Sequence, residues 1–299
     1  MVSLQSLKKL VEEHGDALKA PIRSFPVAGR TMDFDRNPML MGVVNLSADS
    51  WYRESVCLSL EAAIQRGRVL AAQGASLIDL GAESTLPQAK RVDGAEQVLG
   101  VMPVLKALVD DDIAVSIETY LPEVAKACLE AGASVLNLTG CGSAESIYEM
   151  AAENGAAVII CYVDGEHVRD VGALDIADDP VPVMLDYFRR EIERAARKGL
   201  ERIFVDPGMG FYYKNLDDGR QRVRYQARTF LNTFRFRELG FPICHALPHA
   251  FETFGEEVRT AEGFFATLAS LGGTHLFRTH EVPRVKAVLD TLGMMADPD

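Results

Sequence analysis

The chain has 299 residues, 48% of them hydrophobic, which is enough to bury a large core and fits a one-domain barrel. Lys and Arg total 31 against 43 Asp and Glu, and the net charge of −12 argues against a nucleic-acid partner, which needs a basic face. No apolar run reaches the ~18–20 residues needed to span a bilayer, so a membrane location is not expected.

Residues 1–20 carry Lys8, Lys9, Glu12, Glu13 and Asp16 and lack a continuous apolar stretch. They read as a short amphipathic helix and not as a signal peptide. The five cysteines (Cys57, Cys128, Cys141, Cys161, Cys244) form no CxxC pair and have no histidine at zinc-finger spacing. Reduced thiols and a cytoplasmic location are the expectation. From residue 40 onward, short β-branched runs alternate with stretches of helical periodicity. Strands are predicted at 40–45, 76–80, 114–118, 134–138, 157–161, 202–206, 242–245 and 276–280. Helices are predicted between them, clearest at 60–73, 95–108, 121–131 and 182–198. Gly74, Gly132, Gly155, Gly199 and Gly240 each stand just before a strand, where a helix C-cap belongs.

Eight such units predict an α/β fold, a (β/α)8 TIM barrel with a short N-terminal helical extension. The expected division is an extension over residues 1–30 and a barrel over 31–299. A doubly wound open sheet is the rival, but the G-x-G-x-x-G after a first strand is missing. Gly208-Met209-Gly210 follows the sixth strand and lacks the third glycine.

In a barrel the active site lies at the C-terminal ends of the strands. Those ends are polar here. The first strand ends in Asn45, and the second leads into Glu83-Ser84-Thr85. The third and fourth end in Glu118 and Asn137, the sixth in Asp206, and the eighth in Arg278 and His280. Each has a plainer reading. Asp206 precedes Pro207-Gly208 and suits a turn, Glu118 suits a helix cap, and Asn137 suits loop backbone. Asn45 suits an Asx-turn, Arg278 a neighbouring acid, and Thr85 any loop. Asp79, inside the second strand, reads as a structural hydrogen-bonding group. Together, though, two carboxylates and a carboxamide on facing strands suit a planar, guanidine-like edge, whose paired N–H donors they can accept.

Five blocks carry a family resemblance. Met41-Gly42-Val43-Val44-Asn45-Leu46-Ser47-Ala48-Asp49-Ser50-Trp51 resembles the first-loop signature of the dihydropteroate synthases. Ile78-Asp79-Leu80-Gly81-Ala82-Glu83-Ser84-Thr85 resembles their second loop. Val115-Ser116-Ile117-Glu118-Thr119, Asp206-Pro207-Gly208-Met209-Gly210-Phe211 and Arg278-Thr279-His280-Glu281-Val282 are similar to three more, in the family's order. The resemblance implies a barrel that couples a dihydropterin pyrophosphate to p-aminobenzoate or another amine, releasing pyrophosphate. It implies that Glu118, Asn137, Asp206 and Phe211 hold the pterin. Arg278 and His280 would bind the pyrophosphate, and Asn45 its Mg2+. Thr85, Asn45 and His249 would serve the reacting centre. A homodimer follows from the same precedent.

The departures cluster. The family's strand-three aspartate is Glu118, its second-loop Thr-Arg is Thr85-Leu86, and its Ser-Arg-Lys after strand seven aligns with Leu247-Pro248-His249. Its first-loop proline and phenylalanine are Ala48 and Trp51, and Lys214 follows a one-residue insertion. In the family the serine, the proline and the phenylalanine among these help to bind or enclose the aminobenzoate, so the resemblance implies a retained pterin and anion site beside a rebuilt nucleophile site. Two alternatives stand beside this reading: a non-catalytic pterin-binding paralogue, and a methyltetrahydrofolate-dependent methyltransferase. The second needs no pyrophosphate groups, so Arg278-Thr279-His280 counts against it.

Overall fold

The computed structural model describes residues 3–47, 55–57, 59–84, 91–140, 142–163, 179–210 and 218–295. Helix α1 (Leu4–His14) leads into a hairpin of β1 (Phe25–Val27) and β2 (Arg30–Met32). Eight parallel strands follow: β3 (Met39–Asn45), β4 (Leu77–Gly81), β5 (Val115–Thr119), β6 (Val135–Leu138), β7 (Ala157–Cys161), β8 (Ile203–Asp206), β9 (Cys244–Ala246) and β10 (Leu276–Thr279). Their order is β8-β7-β6-β5-β4-β3-β10-β9, and a parallel bridge from Val205 to Ile243 joins the two ends. The (β/α)8 barrel expected from the alternation of patterns is therefore the fold.

The connecting helices are α2 (Leu60–Ala72), α3 (Gly94–Asp110), α4 (Pro122–Glu130), α5 (Ala144–Glu153), α6 (Val181–Arg197) and α7 (Gly219–Leu231), followed by α8 (Phe251–Phe254), α9 (Val258–Leu271) and α10 (Val282–Met294). Ser59 and Asp93 cap α2 and α3 through their side-chain oxygens. The five glycines expected at helix ends all take positive φ, from +64° at Gly155 to +106° at Gly74. That conformation lets each chain turn sharply from helix into strand without a Cβ clash.

Strand interiors are buried on both faces, as parallel strands beneath helices must be. The hairpin was not anticipated, because three-residue strands carry too little pattern to read. Phe25 and the nearby Phe34 meet Phe204 of β8, with ring centroids 4.8–5.3 Å apart. This aromatic cluster closes the end of the barrel where the strands begin, and leaves the opposite mouth for chemistry. Among the described residues no helix is long and apolar enough to cross a membrane.

Candidate active site

Parallel register does most of the assembly. It sets Asn45 beside Gly81, Gly81 beside Glu118, and Glu118 beside Asn137, all at one level of the barrel. Gly81 matters for what it lacks. A Cβ there would lie 3.5 Å from Asn45 Oδ1 and 3.6 Å from Glu118 Oε2, so glycine leaves those polar atoms room to face one pocket. Asp79, two residues back along β4 on the same face, is fully buried one layer deeper. Asp206 ends β8 beside Cys161.

The side chains are locked together. Asp79 Oδ2 accepts hydrogen bonds from Arg278 Nε at 2.7 Å and Asn137 Nδ2 at 3.1 Å. Asn137 Oδ1 accepts from the Cys161 thiol at 3.7 Å. Arg278 Nη2 donates to Glu118 Oε2, so one guanidinium joins β10 to β4 and β5 across the mouth. Asp206 Oδ1 accepts the Gly208 backbone N–H at 2.7 Å, and Gly208 takes φ +77°. The turn reading of Asp206 is thus correct, yet the same side chain lines the pocket. The cap reading of Glu118 fails: the Leu121 N–H takes Thr119 Oγ1 at 3.1 Å instead. Nor does Asn137 serve loop backbone in these contacts.

Electrostatics follow from burial. Burial pushes Asp206 up to about 6, against the lowering influence of the Gly208 N–H and Arg278. Burial pushes Glu118 up to about 7, with Asp79 and Glu83 adding to it and Arg278 opposing. Both carboxyls are held near the point where they exchange protons at neutral pH, as groups in functional clefts often are. Arg278 stays charged because Glu118 and Asp79 outweigh its desolvation. Beside them, Glu83 is anchored by the Val92 N–H and the Tyr120 hydroxyl, each at 2.9 Å.

The opposite side of the mouth is built differently. His280 lies one residue beyond β10, and His249 lies in the loop after β9. Their rings are 4.9 Å apart. Between them stands Glu262, on the buried face of α9 and fully inaccessible. Its Oε1 lies 2.9 Å from His280 Nδ1 and 3.1 Å from His249 Nε2. Its Oε2 accepts the Thr279 hydroxyl and the Glu281 N–H. Burial alone would raise this carboxyl, but the hydrogen bonds from His249 and His280 hold it well below the usual carboxylate range. Burial pushes His280 down to about 4, although Glu262 opposes this, so its ring is neutral at neutral pH.

Every described residue of the predicted set, namely Asn45, Glu118, Asn137, Asp206, His249, Arg278 and His280, lines this one pocket. Thr85 and Phe211 lie outside the described residues, as do Leu86, Ala48, Trp51 and Lys214. Sequence reasoning missed Glu262, Cys161, Arg222 and Gln226. The signal for Glu262 was present: it sits among Ala261, Phe265, Ala266 and Ala269 on the apolar stripe of α9. A carboxylate on such a stripe requires partners. Arg222 and Gln226 sit on the buried face of α7 in the same way. Asn45 lines the same pocket; its amide donates to Ser55 Oγ at 2.6 Å and so leaves the carbonyl as its acceptor.

Buried carboxyls and an amide on one side, and histidines on the other, meet in one pocket at the C-terminal mouth of the (β/α)8 barrel. Residues 41–280 match the family model described as pterin binding enzyme, and the chain belongs to that family. It is 30% identical to the dihydropteroate synthase of Synechocystis sp., over 73% of this chain and 74% of that protein. It is also 30% identical to a probable bifunctional folylpolyglutamate synthase/dihydropteroate synthase of Haloferax volcanii, over 87% of this chain but 31% of that longer protein. Among solved structures, Xanthomonas albilineans dihydropteroate synthase with 4-aminobenzoic acid superimposes with a TM-score of 0.76 at 28% identity. That match covers 92% of this chain and 99% of the other. Within the family, the chain is a transferase of the dihydropteroate synthase type, working in folate synthesis.

Proposed function

We propose that the chain condenses a dihydropterin pyrophosphate with an aromatic or related amine, releasing pyrophosphate. The observation that supports this best is the convergence of Asp206, Asn137 and Glu118 on one pocket, with Arg278 tying Glu118 to Asp79. The Asp206 carboxylate accepts the paired N–H groups of the pterin edge, and Asn137 and Glu118 complete its polar frame. The family resemblance assigns Phe211 to the pterin and Thr85 to the reacting centre; both lie outside the described residues.

Departure of pyrophosphate leaves a cationic carbon conjugated to the pterin ring. Donors placed at the leaving oxygens lower that barrier. His280 is assigned to those oxygens through Nε2, since Glu262 engages Nδ1. Arg278 is assigned to them through Nη1, because Asp79 and Glu118 take its other two nitrogens. Buried carboxylates favour the developing cation. The Asn45 carbonyl is a hard oxygen ligand at the pocket wall, and its amide is held by Ser55. One such neutral oxygen fits a Mg2+ carried in by the diphosphate, where the ion would supply positive charge to the leaving group.

We propose that p-aminobenzoate is a poor acceptor. Leu247, Pro248 and His249 line the pocket where the family has Ser, Arg and Lys, and Leu247 is buried. A benzoate carboxylate would meet fewer charge-assisted donors, each worth about 1.5–3 kcal/mol. Steady-state kinetics with p-aminobenzoate, and mass spectrometry of products from dihydropterin pyrophosphate, Mg2+ and a panel of amines, decide the matter. Efficient multiple turnover with p-aminobenzoate would return the chain to the ordinary acceptor. The thiols of Cys57, Cys128, Cys161 and Cys244 are unpaired, which supports a reducing, cytoplasmic setting. Exposed Phe264 and Leu271 on α9 support a homodimer.

A further inference from the structure

We infer that His249, Glu262 and His280 form a binding site for one transition-metal dication of the zinc class, with an open coordination position facing the pocket. One ligand atom comes from each of three places: the loop after β9, helix α9, and the residue that follows β10. The atoms are His249 Nε2, Glu262 Oε1 and His280 Nδ1, and all lie within 4.8 Å of one another. Two nitrogen–oxygen separations are 2.9 and 3.1 Å. Ligands ~2.0–2.2 Å from a tetrahedral zinc stand roughly 3.4 Å apart, so these two pairs need open by only a few tenths of an ångström.

The carboxylate is prepared as a one-oxygen ligand. Thr279 and the Glu281 N–H hold Oε2, which leaves Oε1 directed at both imidazoles. Such outer contacts orient ligands in metal centres. Glu262 is also fully buried, so it is not one of the solvated acids that gather on protein surfaces. Two imidazoles and a carboxylate suit zinc, cobalt, iron or manganese, whereas Mg2+ prefers an all-oxygen shell. The site is therefore distinct from the one assigned to Asn45.

The charge inventory of the pocket gives the site a use. Both described arginines that line it are engaged by acids, Arg278 by Asp79 and Glu118 and Arg222 by Glu252. His249 stands where the resemblance aligns a lysine. A dication bound through His249 would return positive charge to that position. Three protein ligands leave a fourth place for an anionic oxygen. That last assignment rests on the diphosphate reading of the pocket; the metal site does not.

The test is a Co2+ titration of the metal-stripped chain without pterin, followed by its visible ligand-field spectrum. One equivalent should bind with the intense bands of a four- or five-coordinate N/O site, and Zn2+ should displace it while Mg2+ does not. His249→Gln should weaken Co2+ by more than about tenfold, since loss of even an outer-shell partner costs about 10–100-fold. Glu262→Gln should do the same, and circular dichroism identifies the folded variants. Inorganic pyrophosphate should shift the bands by taking the open position. Absence of stoichiometric binding, equal binding by a folded His249→Gln variant, or displacement by Mg2+ overturns the site. An unshifted spectrum with pyrophosphate overturns the open position. Pterin affinity, measured separately by calorimetry on the stripped chain, tests the proposed function independently.

Discussion

Two glutamates at the same mouth, Glu118 and Glu262, have opposite proton affinities. Both are deeply placed, and burial alone raises each. Glu118 then meets Asp79 and Glu83 as well as Arg278, and rises to about 7. Glu262 meets only donors among its described contacts and falls below the ordinary range. Burial sets the stakes, and the partners decide the sign. The pterin side is thus a cluster of acids held in check by one arginine, whereas the histidine side is one acid saturated by donors.

The largest effect should come from removing the saturated acid. Glu262→Ala leaves a hydroxyl, two backbone N–H groups and two imidazoles without their common acceptor. It should destabilise the fold by about 3–5 kcal/mol, read from urea melts in EDTA. A loss below about 1 kcal/mol would show that the two glutamates differ less than their contacts imply.

On the pterin side the cost should appear in binding. Asp206→Ala should lose about 2–4 kcal/mol of pterin affinity by calorimetry, with the fold retained by circular dichroism. Equal affinity would remove Asp206 from the recognition frame.

The pH dependence sharpens the contrast further. The folded value of Asp206 lies above its unfolded one, at about 6 against 3.8. The native state therefore holds this proton more tightly. Its contribution to stability is full below pH ~4 and is lost as pH rises to ~6, by up to about 3 kcal/mol at about 1.4 kcal/mol per unit. Asp206→Asn should thus stabilise the chain by about 1–3 kcal/mol at pH 8 and much less at pH 4. Pterin affinity of the parent should run the other way, falling as pH drops below ~6, because only the carboxylate accepts the paired donors. A variant with the parent's stability profile would refute a raised Asp206.

The smallest effect concerns the loop that carries His249. Ala250 follows it with φ +48°, a left-handed conformation that disfavours a Cβ. Ala250→Gly should stabilise by about 0.5–1 kcal/mol in urea melts. A loss instead would mean that its buried methyl group matters more than the backbone strain.

Much of this was legible in the sequence because barrel strands and helices are local patterns. Seven of the eight strand predictions overlap the observed strands nearly residue for residue. The exception was β9, expected at 242–245 and found at Cys244–Ala246, where two prolines and a short run blur the period. The polar strand ends Asn45, Glu118, Asn137 and Asp206 followed from the rule that strand C-termini share one mouth.

Tertiary structure alone decided which of those groups touch. Arg278 pairs with acids 199 and 160 positions away, and nothing in its own segment names them. Glu262 entered the mouth only when α9 packed between α7 and α10 and set this side chain against Thr279 and His280, and the hairpin of β1 and β2 gained its purpose only by closing the barrel's other end. Periodicity tells which side of an element is buried. What it is buried against, and hence whether a carboxyl is raised or lowered, depends on partners brought in by the folded chain.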